Sequence, residues 1–208
     1  MYDVQRLVLV DSFWSSVIVG CSVTTLAELC FAAQWALLLH EVTRISGSRQ
    51  ARLASRAVLP LIITAETISW HTGLTNANIG HVVEESLWGL CAALLMFSLM
   101  LVWPRTERSR RPLLALWCLA GVAYVGYVFG VDVPMYWARW AADEAQGRAY
   151  LGLAQGLADV SLRWVVSHRW DNWKTEVIWM TLYFSVVVWL CIALAHASRW
   201  RTSSALAP

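Results

Sequence analysis

The chain has 208 residues, 58% of them hydrophobic and 14% charged, with a formal net charge of +2. Soluble domains carry about 25% charged residues, so this composition excludes a disordered chain, a coiled coil and an ordinary soluble enzyme. The near-neutral balance also gives no electrostatic support for a nucleic-acid partner.

What remains is a small all-α transmembrane bundle, read as a single domain over residues 1–208. A hydrocarbon core needs about 20 apolar residues per helix. Arg6 is the only early cation and Asp11 interrupts the first apolar stretch, so the opening residues read as mature protein rather than signal peptide. Residues 3–15 are expected to lie along the interface or to extend the first span. Six spans follow, at about 16–42, 56–73, 79–103, 112–131, 148–167 and 175–198, and an extra one inside 3–42 would make seven. Their long continuous apolar character predicts helices, not barrel strands. Pro112 sits at a helix-start position.

Loop charge predicts orientation. The first loop carries Arg44, Arg49, Arg52 and Arg56, the third Arg105, Arg108, Arg110 and Arg111, and the fifth is flanked by Arg163, Arg169 and Lys174. These three are expected on the cytoplasmic side. The second loop, Gly73 to Ala77, and the fourth, around 131–140, are expected outside with the N-terminus. Arg199 and Arg201 in the tail run against this scheme, and the seventh span would resolve the conflict.

Ionisable groups inside a bilayer cost at least about 2.5–3.5 kcal/mol each, so they mark interiors and sites. Glu28 lies in the first span, Glu66 in the second, Asn78, His81, Glu84 and Glu85 open the third, and Asp159 and Arg163 lie in the fifth. Asn78, His81, Glu85 and Trp88 recur at helical spacing and share one face. Glu66 and His71, on the neighbouring antiparallel span, are expected to approach Asn78 and His81. A polar zipper between helices is the structural alternative. Asp159 and Arg163 are four residues apart and read as an ion pair within one helix. Glu28 shares a face with Cys21, Thr24, Thr25 and Trp35, as a lining acid or a partner of Arg163.

The five cysteines lie in apolar runs without a Cys-x-x-Cys spacing and read as small buried hydrophobes. Tryptophan occurs 14 times, more than phenylalanine (5) and tyrosine (6) together, which a fold alone does not require. Interfacial belts account for Trp164, Trp170, Trp173 and Trp200. In the fourth loop, Tyr136 and Trp140 are expected to cover a pocket mouth.

Several chemistries are disfavoured. His71 and His81 with Glu66, Glu84 and Glu85 can be imagined as a metal or haem site of a membrane oxidoreductase, but the Glu-x-x-His and His-x-x-His spacings are missing. No nucleophile elbow occurs. The only lysine, Lys174, lies in a loop, which argues against a retinal protein. Acids in an apolar interior with many indoles remain. A desolvated carboxyl holds its proton near neutral pH, and indole faces stabilise cations by about 0.5–2 kcal/mol each. A dry aromatic pocket keeps water from quenching a carbocation. These are the requirements for cyclising an isoprenoid chain by protonation.

On its size, its tryptophan load, its Glu-bearing second and third spans and the run Ser161-Leu162-Arg163-Trp164, the chain resembles the integral-membrane terpene cyclases of fungal meroterpenoid and indole-diterpenoid pathways and their bacterial indole-sesquiterpenoid relatives. The resemblance implies an isomerase or lyase that protonates an alkene or epoxide of a prenylated lipophilic substrate. Fungal members carry an early Trp-Glu pair, for which Glu66 and Glu84–Glu85 are the nearest positions here. They also carry a late acid, whose place Asp159 or Asp132 would take. Glu85 and Glu66 are thus the favoured acids, with Glu84, Asp132 and Asp159 behind them. Asn78 and His81 would orient the acids. Trp70, Trp88, Tyr124, Tyr127, Tyr136 and Trp140 would stabilise the cation, and Arg163 completes the substrate contacts. No cofactor and no metal are expected. The expected partners are a lipophilic small molecule and membrane lipids, in a bacterial cytoplasmic membrane or an endomembrane. A second similarity, of Asn78-Ile79-Gly80-His81-Val82-Val83-Glu84-Glu85 to multi-span lipid-remodelling and autophagy-modulating proteins, implies instead a non-enzymatic lipid-handling or scaffolding role.

Overall fold

The computed structural model describes residues 6–105, 108, 111–174 and 177–197. Arg110, Trp200, Arg199 and Arg201 lie outside the described residues. The described residues are all-α, about 85% of them helical. After a two-residue strand β1 (Leu7–Val8) and a 3-10 turn (Phe13–Ser15) come α1 (Val17–Ser46), α2 (Arg49–Thr75), α3 (Ile79–Val102) and α4 (Arg111–Tyr127). A π-helical turn (Val128–Asp132) then leads into α5 (Val133–Ala145). The short α6 (Leu153–Leu162), strand β2 (Val165–Val166) and α7 (Trp170–Trp173) follow. Last come α8 (Val177–Thr181), a second π segment (Leu182–Val187) and α9 (Val188–Ala197).

Local chemistry sets the boundaries. Gly47, at φ 64°, ends α1 and donates its N–H to the Thr43 carbonyl. Ser48 caps α2 by accepting from the Ala51 amide at 3.3 Å. Asn76 ends α2 at φ 59°, a left-handed position that Asn tolerates better than most residues, and its N–H meets the Thr72 carbonyl. Pro60 lies inside α2, where the Thr64 hydroxyl donates to the Pro60 carbonyl at 2.9 Å.

The chain divides into two compact units, Val23–Asp159 and Met1–Ser22 with Val160–Pro208. In the larger, α1, α2 and α3 share two apolar clusters. One joins Ala32, Ile62 and Cys91, flanked by Trp88; the other joins Leu39, Ala54 and Val58 against Leu94 and Leu95. Cys91 is the buried cysteine among the described residues, whereas Cys21 and Cys30 are exposed on α1, which corrects the expectation of five buried fillers.

Three helices are long and apolar enough to cross a membrane: Val17–Glu41, Ile79–Leu101 and the continuous helix Arg111–Ala145. Their outward faces are apolar and open, with Leu26, Leu37, Leu116 and Leu119 all more than 60% exposed. Helix α2 spans 27 residues but mixes Arg49, Arg52, Arg56, Glu66 and His71 among its apolar positions.

The predicted spans need correction in four places. The fourth does not stop at 131: the helix runs on through Tyr136 and Trp140 to Ala145, so these aromatics stand on a helix and not on a loop. Pro134 is accommodated because it falls in the first turn of α5, just after the π turn has already shifted the backbone bonding. The fifth predicted span is the ten-residue α6, about 15 Å long and too short to cross. Before α1, residues 6–16 are described as a strand and a 3-10 turn, leaving no second span there among the described residues. Lastly, β1 and β2 pair in parallel, Leu7 opposite Val165 and Val8 opposite Val166. The N-terminal segment and the basic stretch after α6 therefore lie together, against the expectation that they face opposite sides.

Candidate functional site

Helix α3 and the helix of residues 111–145 run antiparallel and meet at regular intervals. A Cβ on Gly121 would touch Met96 at 2.5 Å, and one on Gly89 would touch Phe129 at 2.7 Å and Val128 at 3.1 Å. Two turns beyond, toward the start of α3, the His81 ring stacks on Tyr136 with centroids 4.7 Å apart. Farther still, Asn78 donates to Asp143 at 2.7 Å. Between the Gly89 and His81 contacts, one turn from each, this register sets Glu85 against Asp132. Glu85 feels the charges of Glu84 and Asp132, and Tyr124 those of Glu85, Asp132 and Glu28. Tyr124 thus lies within electrostatic reach of acids from α1, α3 and the π turn. Asp132 is buried and bonded to Tyr127, whose ring is otherwise exposed.

The groups around this pair are largely engaged with one another. His81 Nδ1 and Glu84 Oε2 are 2.8 Å apart, with both side chains nearly buried. The Arg139 guanidinium lies 5.4 Å from the centre of the Tyr136 ring. Asp143 also holds Arg148 in a salt bridge at 3.0 Å. The Leu151 amide donates to the Thr75 carbonyl at 3.1 Å, and Gly156 lies so close to the Leu74 carbonyl that a Cβ there would overlap it.

Glu66 occupies a second place, between α2 and α1. It is 4% exposed. Its Oε2 accepts the Thr25 hydroxyl at 2.7 Å, and Thr25 Oγ1 accepts the Trp70 indole N–H at 3.1 Å. The chain is polarised, because the indole can only donate, which turns the threonine proton toward the carboxylate. Glu66 Oε1 is buried without a hydrogen-bond partner.

The predicted residues therefore separate. Glu85, Asp132, Tyr124 and Tyr136 come together. Asn78 and His81 do not orient Glu85; they bind Asp143 and Glu84. Glu66 and Trp70 form their own group through Thr25, and His71 is exposed. Trp88 packs on the Ala32–Ile62–Cys91 cluster, and Trp140 packs against Trp137 with ring centres 5.0 Å apart. Asp159 is buried in α6, while Arg163 is exposed. Thr25 and Asp143 were not among the predicted site residues; Thr25 was visible only as a polar neighbour on the face of Glu28. The described residues contain no group of three or more His, Cys, Asp or Glu able to hold a metal ion. Compared with known proteins, the chain matches no family model, no curated protein and no solved structure.

Proposed function

We propose that the chain is an integral membrane protein with an acid site inside the bilayer, and that it cyclises an isoprenoid substrate by protonation. In place of six or seven crossings we infer five: α1, α2, α3, the helix 111–145 and the helical run 177–197. The last is 21 residues long, about 31 Å, which suits a bilayer core. The arginine-rich connections after α1 and α3 then share one side, read as cytoplasmic.

The facing of Glu85 and Asp132 carries the catalytic reading. Two carboxyls set against each other in an apolar surrounding do not both ionise. On this reading one proton sits on the pair, and Glu85 delivers it to an alkene carbon or epoxide oxygen of the substrate. The cation closes a ring as a neighbouring alkene attacks it, and the last cation returns a proton to the pair. Substrate and product are then isomers, and no redox group is consumed. On this reading Tyr124 and Tyr136 stabilise the cation. Glu66, tied to Thr25 and Trp70, is the second acid candidate. The self-engaged groups Asn78–Asp143 and His81–Glu84 favour a fastening role for the start of α3, as a polar zipper would have.

The test uses the full chain in nanodiscs with prenylated aromatic substrates bearing a terminal alkene or epoxide, analysed by mass spectrometry. Alkene cyclisation in D2O should place one deuterium in the product. Glu85→Gln and Asp132→Asn should each lower turnover at least about 100-fold without loss of helical signal. Full activity in both variants would remove this site from the reaction.

A further inference from the structure

The outward face of α2 changes character along its length. Arg49, Arg52, Arg56, Pro60, Ile63 and Thr67 fall within about 80° of one another around the helix axis, and all are exposed. The packing residues Ala51, Ala54, Ser55, Val58 and Ile62 are buried on the other side. On the later part of the face the polar groups are already satisfied: the Thr64 hydroxyl donates to the Pro60 carbonyl at 2.9 Å and the Thr67 hydroxyl to the Ile63 carbonyl at 2.8 Å. On the earlier part the guanidinium groups of Arg49, Arg52 and Arg56 make no hydrogen bond or ion pair among the described residues. Arg44, by contrast, is held by Glu41 at 3.0 Å. The start of α2 and the end of α3 share one end of the bundle, since Ala54 and Val58 pack on Leu94 and Leu95. There the sequence sets Arg44, Arg49, Arg52 and Arg56, with Arg105, Arg108, Arg110 and Arg111, against Glu41 and Glu107. The cationic excess survives the pairing of both acids. Orientation needs only that excess. It does not need three unpaired guanidinium groups on two turns of one helix face, followed by an apolar stretch on the same face.

We propose that this face binds one anionic phospholipid, with its phosphate on Arg52 and Arg56, Arg49 beside them, and an acyl chain along Pro60, Ile63 and Thr67. Such a site rests on the reading of α2 as a crossing and not on the cyclisation. Residues four apart on a helix have their Cβ atoms about 5–6 Å apart, close enough for two guanidinium forks to engage one phosphate. The rise from Arg56 to Thr67 is about 16 Å, half of a hydrocarbon core about 30 Å thick, which is the depth of one leaflet. A lipid therefore matches both parts of the face at once: its charge meets the arginines where α2 enters the hydrocarbon, and its chain covers the stretch whose hydroxyls are bonded inward. A soluble phosphate compound would use the arginines and leave the apolar stretch uncovered.

The test is native mass spectrometry of the full chain in detergent, titrated with phosphatidylglycerol or phosphatidylcholine. The first phosphatidylglycerol should bind roughly 25-fold more tightly than the first phosphatidylcholine, a factor of about five for each of two arginines. The double variant Arg52→Gln, Arg56→Gln should lose that preference. The double variant Arg44→Gln, Arg108→Gln removes the same charge from the same end and should keep it. No preference in the parent chain, or equal losses in the two double variants, overturns the site and leaves a diffuse field. Glycerol phosphate has the charge without the chains and should not displace the lipid; displacement at equal concentration overturns the lipid in favour of a soluble phosphate compound. A phosphatidylglycerol with a photoactivatable acyl chain needs no variant: in nanodiscs it should label residues 60–67, and labelling confined to other helices overturns the acyl path. Hydrogen exchange in the same nanodiscs reports the crossing separately. The amides of residues 57–72 should be protected, and their free exchange would overturn the reading of α2 on which the site rests.

Discussion

An alanine at position 80 tests how closely α2 and α3 approach beside their shared turn. A Cβ at Gly80 would overlap Thr72 Oγ1, stand 3.0 Å from Thr72 Cβ and 3.4 Å from Ile68 Cγ2. Thr72 is 1% exposed, and its hydroxyl has no hydrogen-bond partner. Rotating Thr72 removes the hydroxyl from that space but leaves its Cβ at 3.0 Å in every rotamer, so the helices must part slightly. Overpacking of this kind costs about 1–3 kcal/mol. For a chain of this size that is a fall in melting temperature of about 2–4 °C per kcal/mol. Thr72→Ala alone removes a buried hydroxyl that bonds to nothing but also the buried γ-methyl, so it should cost about 1 kcal/mol. In the double variant the overlap with the hydroxyl is gone and the new methyl meets the Cβ of residue 72 at 3.0 Å and Ile68 Cγ2 at 3.4 Å, so much of the loss should disappear. Thermal unfolding in detergent measures all four corners of the cycle, with an expected coupling of at least about 1 kcal/mol. Simple additivity of the two substitutions would refute the packing argument.

Three further outcomes are expected. Thr25→Val should cost about 1–3 kcal/mol, since it leaves both Glu66 oxygens without a donor and the Trp70 indole without an acceptor, whereas Thr25→Ser should restore stability; equal melting of the Val variant and the parent would count against the relay. Gly156→Ala should cost about 3 kcal/mol because it meets a backbone carbonyl that cannot rotate away, while Gly73→Ala, with open space around it, should be neutral or gain up to about 1 kcal/mol; similar melting temperatures for the two would contradict the close approach at Leu74. Asp143→Leu releases Asn78 and Arg148 together and should cost about 1 kcal/mol while speeding amide exchange in residues 146–152; unchanged exchange there would show that the clamp does not hold that segment.

Helices whose apolar runs are unbroken were legible in the sequence. The predicted spans 16–42 and 79–103 correspond to α1 and α3 within a few residues, because nothing inside either run interrupts the helical pattern. The region after 131 was not legible, because Pro134 reads as a stop unless the preceding turn is already widened, and a π turn has no sequence signature comparable to a cap. The run 148–167 was long and apolar enough to suggest a span, but Gly147 adopts φ 61° and the coil that follows is tied to Thr75. In the site, face-sharing within α3 was readable from spacing. The partners across helices were not: Thr25 and Glu66 are 41 residues apart, and Asn78 and Asp143 are 65 apart, and only packing decides such pairs. Hence His81 was assigned to Glu85 by proximity on one face, whereas the contact it makes is the one three residues along, with Glu84.

The π turn at Val128–Asp132 also works as a phase adjuster. An ideal α-helix advances about 100° per residue, so positions four apart drift by about 40° at each step. Val128, Asp132 and Tyr136 are spaced by four, yet Val128 and Asp132 are buried and Tyr136 stacks on the His81 ring. The wider turn takes up that drift and keeps all three aimed at α3. Removing a single residue from the turn would return the helix to regular winding with little change of phase beyond it, because the five residues of the π turn cover about the rotation of four α-helical ones, so Tyr136 would stay on His81 and Trp117 against Trp35. A one-residue deletion is therefore absorbed at this turn, whereas the same deletion in the α-helical stretch on either side would rotate one half of the helix against the other by about 100°, and length variation among sequences of this type should be tolerated only at the turn and in the connection at 146–152.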